Sequence, residues 1–326
     1  MAPVLLVLGE AADGHLTKLS AEVATVARTL AAEAGGTALG LVVDAAPHAV
    51  AAELAAYLPR VVAVTAPQVE TEVWAPHAAA AVASLVAEGV THVLAGATAD
   101  GRDVAGLLVG SLGWGLLANA SGASWAGDAP VVAATVLAGK AVTHSTLTGG
   151  TGIVTVHLGA ATAAESATAG TVEPRDGTGV APVAPAATIV DRVAEAGAEA
   201  SLEEARVVVV GGRGVGGPEG FVLVDELAAL LGGVTGASRA SVDAGWIPYA
   251  RQVGQTGKIV RPALYLGLGV SGAMQHRVGM QGSESIVIIN RDPDAPMAEI
   301  ADLFVVGDLF EVGPALVREI RSRRDG

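Results

Sequence analysis

The sequence predicts an α/β protein in two parts. Residues 1–190 should form a parallel-sheet α/β domain with an antiparallel addition, and residues 191–326 a doubly wound α/β domain. Three observations carry this. Short β-branched runs alternate with helical patterns, an order that gives parallel sheets with right-handed crossovers. The chain has 326 residues, enough for two cores. Hydrophobic residues make up 51% but aromatics only 3%, so those cores are built from Ala, Val, Leu and Ile.

In the first part, Val4 to Leu8, Ala38 to Val43, Val61 to Val64 and His92 to Ala95 read as strands. Helical patterns lie between them at about 17–34, 47–57 and 75–89, with a further helix after Gly101-Arg102-Asp103. Val131 to Leu137, Ala141 to Leu147 and Ile153 to Leu158 follow with short breaks, which suggests the antiparallel addition. The stretch Gly96 to Asp103 follows a strand. It could bind a nucleotide, although a helix N-cap with a first-turn carboxylate accounts for it equally well. The histidines of this part are scattered and form no pair at metal-ligand spacing. Gly170 to Ala200, rich in Pro, Gly, Ala and Glu, reads as a connector with one strand near Ala187 to Val190.

The second part opens with the strand Arg206 to Val210, a glycine-rich turn and a helix from about Phe221 to Leu231. Gly212, Gly214 and Gly217 spell G-x-G-x-x-G, the Rossmann-like dinucleotide pattern. An NAD site needs an acid at the end of the next strand to grip the ribose, but the strand Gly233 to Ala237 ends in Ser238-Arg239. That leaves a glycine-rich anion loop containing Arg213. Similar polar turns recur at Ser238-Arg239, at Gln252 to Gly257, at Ser271 to His276 after the strand Ala263 to Gly269, at Asn290 to Asp292 after Ile286 to Ile289, and at Gly307 to Leu309 after Leu303 to Val306. Ligands of open α/β sheets sit beyond the carboxyl ends of the strands, so these turns should converge on one large polar ligand. A dinucleotide suits glycine loops, arginines and amides, and a flavin suits them better than NAD. Arg239, or a protonated His276, would stabilise negative charge gathering on a reduced ring.

Charge, cysteine and motif content narrow the function further. A formal charge of −14 argues against nucleic acid or an anionic membrane as partner. Cysteine is absent, which excludes disulfides and thiolate metal sites and fits a reducing, cytoplasmic setting. The N-terminal MAPVLLVLGE reads as a core strand rather than a signal peptide, and no segment reaches membrane-spanning length uninterrupted. There is no GxSxG or HExxH motif.

From Val207 to about Val317 the chain resembles the C-terminal domain of the electron transfer flavoprotein alpha subunit. The residues that carry the likeness are GGRG, GASRASVDAG, QVGQTGKIV, GVSGAMQH, IINRDPDAP and GDL. The N-terminal part is similar chiefly through LAGATADGRDVAGLLVGSLGWGLLAN. It departs at Asn119, where the family usually has Asp, and at His157-Leu158-Gly159, where it usually has an Arg-Pro pair. The resemblance implies a Rossmann-like (DHS-like) FAD-binding domain. FAD would be contacted by Arg213, Ser238, Arg239, Val253, Gly254, Gln255, Thr256, Ser271, Gly272, Ala273, Met274, Gln275, His276, Asn290, Asp308 and Leu309. Arg239 would lie over the isoalloxazine, Thr256 near N5 and His276 near O2, with Asn290, Asp308 and Leu309 toward the adenosine. It further implies a heterodimer with a beta subunit that carries AMP, or a second flavin in electron-bifurcating relatives. Electrons would come from flavin dehydrogenases, such as acyl-CoA dehydrogenases of fatty acid beta-oxidation, and go to a membrane quinone oxidoreductase. Such a protein is an electron carrier rather than a substrate-converting enzyme. An NAD-dependent oxidoreductase and a non-redox nucleotide-binding subunit are the competing readings.

Overall fold

The computed structural model describes residues 2–137, 141–192 and 202–324. The chain divides into two compact units, Met1–Arg192 and Val193–Gly326. The connector's expected end at Ala200 lies outside the described residues.

Apart from a two-residue hairpin pair, Ala11–Ala12 with His15–Leu16, the strands described in the first unit are β1 (Val4–Gly9), β2 (Thr37–Asp44), β3 (Arg60–Thr65), β4 (His92–Gly96), β5 (Gly115–Ala120), β6 (Gly122–Ala126), β7 (Ala129–Val136), β8 (Ala141–Thr146), β9 (Gly152–Val156) and β10 (Thr171–Asp176). Seven of them make one parallel sheet in the order β10-β3-β2-β1-β4-β9-β5. Its helices are α1 (Lys18–Ala34), α2 (His48–Leu54), α3 (Trp74–Ala87) and α4 (Ala99–Leu112). Side chains alternate across a strand, so β1 divides the core. Leu5 and Val7 join Val23, Leu30 and Leu54 on one face, while Leu6 and Leu8 join Val82, Val104 and Leu108 on the other. Both faces are covered, which is why β1 reads as an unbroken apolar run. Helix α1 starts at Thr17, whose hydroxyl accepts from the Ser20 N–H, and stops at Gly35 with φ 62°.

Several expectations for this unit are corrected. The antiparallel sheet is real but consists of β8-β7-β6. The run from Ile153, expected beside it, is instead β9 in the parallel sheet. It is buried throughout, and the interior of a sheet covered on both faces meets that requirement. Gly101 to Asp103 do not precede the helix but lie inside its first five residues, where Asp100 is the first-turn carboxylate. Thr98 is its N-cap, with its hydroxyl accepting from the Gly101 N–H at 2.8 Å, so the capping reading accounts for this stretch. The strand in the connector is the edge strand β10, whereas Ala187 to Val190 make only an isolated bridge between Thr188 and Glu72. Of the two departures from the family pattern, Asn119 has φ 57°, a left-handed conformation that Asn and Asp tolerate best. In the other, the His157 N–H donates to the Ala120 carbonyl at 2.8 Å and the Gly159 N–H to the buried Glu22 carboxylate.

The second unit contains β11 (Val207–Gly211), α5 (Phe221–Leu230), β12 (Val234–Ala237), α6 (Arg239–Asp243), β13 (Leu264–Leu268), α7 (Met274–Val278), β14 (Ile286–Asn290), β15 (Leu303–Val306) and α8 (Leu309–Arg324). Its strands are parallel in the order β12-β11-β13-β14-β15. One face packs Val209, Leu266 and Ile289 with Val224, Leu227 and Val317 of α5 and α8. The other packs Val208, Val210, Tyr265 and Ile288 with Val253, Met280 and Met297 from the long loops. The strand order reverses between β11 and β13, and at that switch point the loops leaving the two strands diverge.

Candidate functional site

Beyond the carboxyl ends of β11 to β14 lies a cavity of about 600 Å³. That size is in the range of cofactor and drug-sized ligand pockets. Its base is a crossing of two backbones. The Gly212 N–H donates to the Leu268 carbonyl (2.9 Å) and the Gly214 N–H to the Gly269 carbonyl (3.0 Å). A Cβ at Gly212 would stand 2.3 Å from the Gly269 oxygen, and one at Gly214 would stand 2.7 Å from the Gly269 Cα. Gly269 itself has φ 63°. The first two glycines of the G-x-G-x-x-G motif are therefore required by strand-to-strand packing at the switch point, whatever they also offer an anion.

Four of the five expected polar turns meet at this cavity. After β11, the exposed Arg213 lines it and has no ion-pair partner among the described residues. After β12, the buried Ser238 hydroxyl is 3.2 Å from that of Ser241, which in turn donates to the Gly211 carbonyl. Arg239 stands on the rim, largely exposed, with Nε 3.2 Å from Asp243 Oδ2. After β13, Ser271, Gly272, Ala273, Gln275 and His276 line the wall, and Gly272 has φ 87°. After β14, the buried Asn290 donates from Nδ2 to the Val270 carbonyl (2.9 Å) and accepts the Asp292 N–H (3.1 Å). Asn290 thus holds the start of the Ser271 loop in place.

The wall opposite comes from Gln252 to Thr256, a loop without regular structure held at both ends. The Val253 N–H donates to the Ala237 carbonyl (2.9 Å), and the Gln255 N–H to the Gln275 carbonyl (2.8 Å). Buried Gln252 donates from Nε2 to Thr256 Oγ1 at 3.0 Å, and the Tyr249 hydroxyl donates to the Thr256 carbonyl. At Gly254, φ 142° and a Cβ position 3.1 Å from the Gln275 oxygen keep the two loops close. Val253, Gly254, Gln255 and Thr256 all line the cavity.

The chemistry of the site centres on His276. It is 7% exposed, and its Nε2 is 2.7 Å from the hydroxyl of the fully buried Tyr265. Burial pushes its pKa down to about 4, so the imidazole is neutral near pH 7 rather than protonated as expected from the sequence. The Val253 backbone works in the opposite direction, yet no acceptor among the described residues reaches Nδ1 with hydrogen-bond geometry, and that atom is sealed from solvent.

Three expected residues are not among those lining the cavity. Met274 lies on α7 and is not among the cavity-lining residues. Asp308 caps α8, accepting the Phe310 N–H at 2.8 Å, and Leu309 is buried in the core with its side chain close to Gly269, at the base of the cavity. The cavity also takes in Gln252 and the exposed Arg291, which belong to the expected polar turns but were not among the expected FAD contacts, and Asp243, which lay outside those turns; Arg291 makes no ion pair among the described residues. Asp243 lies one helical turn after Arg239, and that spacing is the signal that could have found it.

The residues fit a flavin dinucleotide. Arg213 and Arg291, without ion-pair partners among the described residues, and glycines that let backbone approach closely suit a ring system with an anionic diphosphate. The comparisons agree. The family model for the electron transfer flavoprotein domain matches residues 5–178, and that for the electron transfer flavoprotein FAD-binding domain matches residues 201–281. The electron transfer flavoprotein subunit alpha of Mycobacterium leprae is 38% identical over 98% of both chains, and that of Bacillus subtilis is 35% identical over 99% of this chain and 98% of the relative. That of Thermoanaerobacterium thermosaccharolyticum is 60% identical over 122 residues, 37% of each chain. With a doubly wound second unit, a cavity at its switch point and family matches along both units, the chain belongs to the electron transfer flavoprotein alpha subunit family and carries that family's FAD-binding domain.

Proposed function

We propose that this chain is the FAD-holding half of an electron carrier. It would pair with a beta subunit that holds AMP, receive electrons from flavin dehydrogenases such as acyl-CoA dehydrogenases, and deliver them to a membrane quinone oxidoreductase. FAD, when bound, supplies a centre that takes up and gives off electrons singly or in pairs. The single observation that carries this reading is the convergence of the turns after β11, β12, β13 and β14, with the Gln252–Thr256 loop, on one cavity.

The chain's own residues divide the work. Arg213 and Arg291 meet the negative diphosphate with guanidinium charge, against the net charge of −14. Backbone at Gly254, Ser271, Gly272 and Ala273 offers close approach, with Ser238, Val253, Gln255, Met274, Gln275 and Asn290 fixing the loops around it. Asp308 and Leu309 are proposed for the adenosine end, as the resemblance implies. Around the redox ring we assign roles to three residues: Arg239 for its charge, Thr256 for its hydroxyl and His276 for its imidazole. The working division of the chain is 1–190 and 191–326, and the proposed setting is cytoplasmic. No helix among the described residues is long and apolar enough to cross a membrane.

The absence of an acid after β12, where Ser238-Arg239 stands, weighs against an NAD-dependent dehydrogenase. The test is the absorbance of the full chain co-purified with its partner subunit. Flavin bands, with FAD released on denaturation and reduction in two resolvable one-electron steps, are expected. A colourless protein that binds nicotinamide dinucleotide, or one without redox response, would overturn the proposal.

A further inference from the structure

Tyr265 belongs to β13, not to any of the polar turns, yet its side chain reaches the site. It is fully buried, and its hydroxyl has one hydrogen-bond partner among the described residues, His276 Nε2 at 2.7 Å. The two rings stand 6.2 Å apart at 64°, with the hydroxyl bridging them. A tyrosine hydroxyl carries one proton, and a neutral imidazole carries one proton on either nitrogen.

Only two arrangements are open. If the imidazole proton is on Nε2 and is donated to the Tyr265 oxygen, the Tyr265 proton has no acceptor and Nδ1 is a buried lone pair without a donor. If Tyr265 donates to Nε2, the imidazole proton sits on Nδ1, and that N–H alone lacks a well-placed partner. The second arrangement leaves one donor unmatched where the first leaves a donor and an acceptor, and an unmatched buried polar group costs about 1–3 kcal/mol. Burial also keeps the Tyr265 proton on its oxygen by raising its pKa, so the hydroxyl is always available as a donor.

We infer that Tyr265 is a positioning residue that donates to Nε2 and fixes the neutral His276 in its Nδ1–H tautomer, with that N–H directed into the protein rather than into the cavity. Its consequence for the cofactor rests on the flavin reading above: His276 lines the cavity as an uncharged ring held by Tyr265, and offers a flavin a fixed wall rather than a positive charge. The tautomer itself does not depend on that reading. Sequence inspection placed Tyr265 in a buried strand and had no means of linking it to His276, eleven residues on.

The test is a long-range 1H–15N correlation spectrum of the complete protein with its partner, with histidine 15N-labelled. The His276 signals are identified by their loss in His276→Asn. The expected pattern has a protonated Nδ1 and an unprotonated Nε2; the reverse pattern overturns the inference. In Tyr265→Phe, which keeps the packing, His276 should move toward the Nε2–H form. An unchanged Nδ1–H spectrum in that variant removes the role of Tyr265. If the variant does not fold, fluorinated tyrosine at the chain's three tyrosines makes the hydroxyl a stronger donor. The Nε2 resonance should then shift, and a resonance that stays fixed counts against the inference. Absorbance of the same sample separates the two readings: a colourless protein with the Nδ1–H pattern sinks the flavin assignment and leaves the tautomer standing.

Discussion

At the scale of single residues, charge and burial act in opposite ways on Arg239, His276 and Glu10. Arg239 is a largely exposed cation on the cavity rim, partly neutralised by Asp243. Arg239→Ala should lower the potential of the first electron by on the order of 60 mV, one tenfold step in a one-electron equilibrium. Redox titration of the holoprotein checks this, and an unchanged potential removes its role. Glu10 follows β1 in the first unit. Its Oε1 is sealed from solvent without a partner, its Oε2 accepts from Thr98, and burial raises its pKa to about 7. The folded protein therefore holds a proton that the unfolded chain, near 4.5, has lost, and stability falls as pH rises from about 4.5 to 7. His92 and His276, both pushed down to about 4, give the opposite slope. The unfolded chain binds protons below about 6.5 that the native state refuses, so their contribution is lost as pH falls toward 4. Glu10→Gln isolates the first effect. The variant should melt above the native protein at pH 8, by at most roughly 3 kcal/mol in stability, with the gap closing toward pH 4.5. Parallel melting curves across that range would contradict the raised pKa.

At the scale of elements, two kinds of glycine behave differently. Gly212 and Gly214 sit where the turn after β11 crosses Gly269, and a Cβ at Gly212 would press on backbone rather than on a flexible side chain. Gly212→Ala should cost about 1–3 kcal/mol, as overpacking does, and should weaken flavin retention, both measurable by urea denaturation and by cofactor release on dilution. Gly106 and Gly110 lie on the exposed side of α4 with open space around them. Alanine at either should stabilise the first unit by about 0.5–1 kcal/mol. The G-x-G-x-x-G pattern was legible in the sequence, but the reason for its first two glycines was not. Their partner is Gly269, more than fifty residues away, and no local pattern announces a backbone crossing. The fate of the run at Ile153 was hidden for a similar reason. Short breaks between strands do not say whether the chain turns into a hairpin or returns to the start of a parallel sheet.

At the scale of the whole molecule, each unit has its own pair of cores, one on either face of its parallel sheet. The cavity is lined wholly by the second unit. Calorimetry should therefore resolve two transitions, and added FAD should raise only the one belonging to the second unit, because a ligand stabilises what it binds. A single transition that moves as a whole with FAD would show the units to be coupled. Trp246 is the one tryptophan of the second unit, so its fluorescence, isolated by replacing Trp74, Trp114 and Trp125, should follow the FAD-dependent transition.

The sequence by itself determined the two α/β layers, most strand positions and the polar turns after β11 to β14, because those depend on local periodicity and on residue types beside strand ends. Only the tertiary structure decided which turns share a cavity: Ser238, Thr256, His276 and Asn290 come together through strand order, while Asp308 and Leu309 go to a helix cap and a core. It also decided the protonation of His276, since the burial that keeps the ring neutral and the Tyr265 hydroxyl that engages it arise only when distant segments pack together.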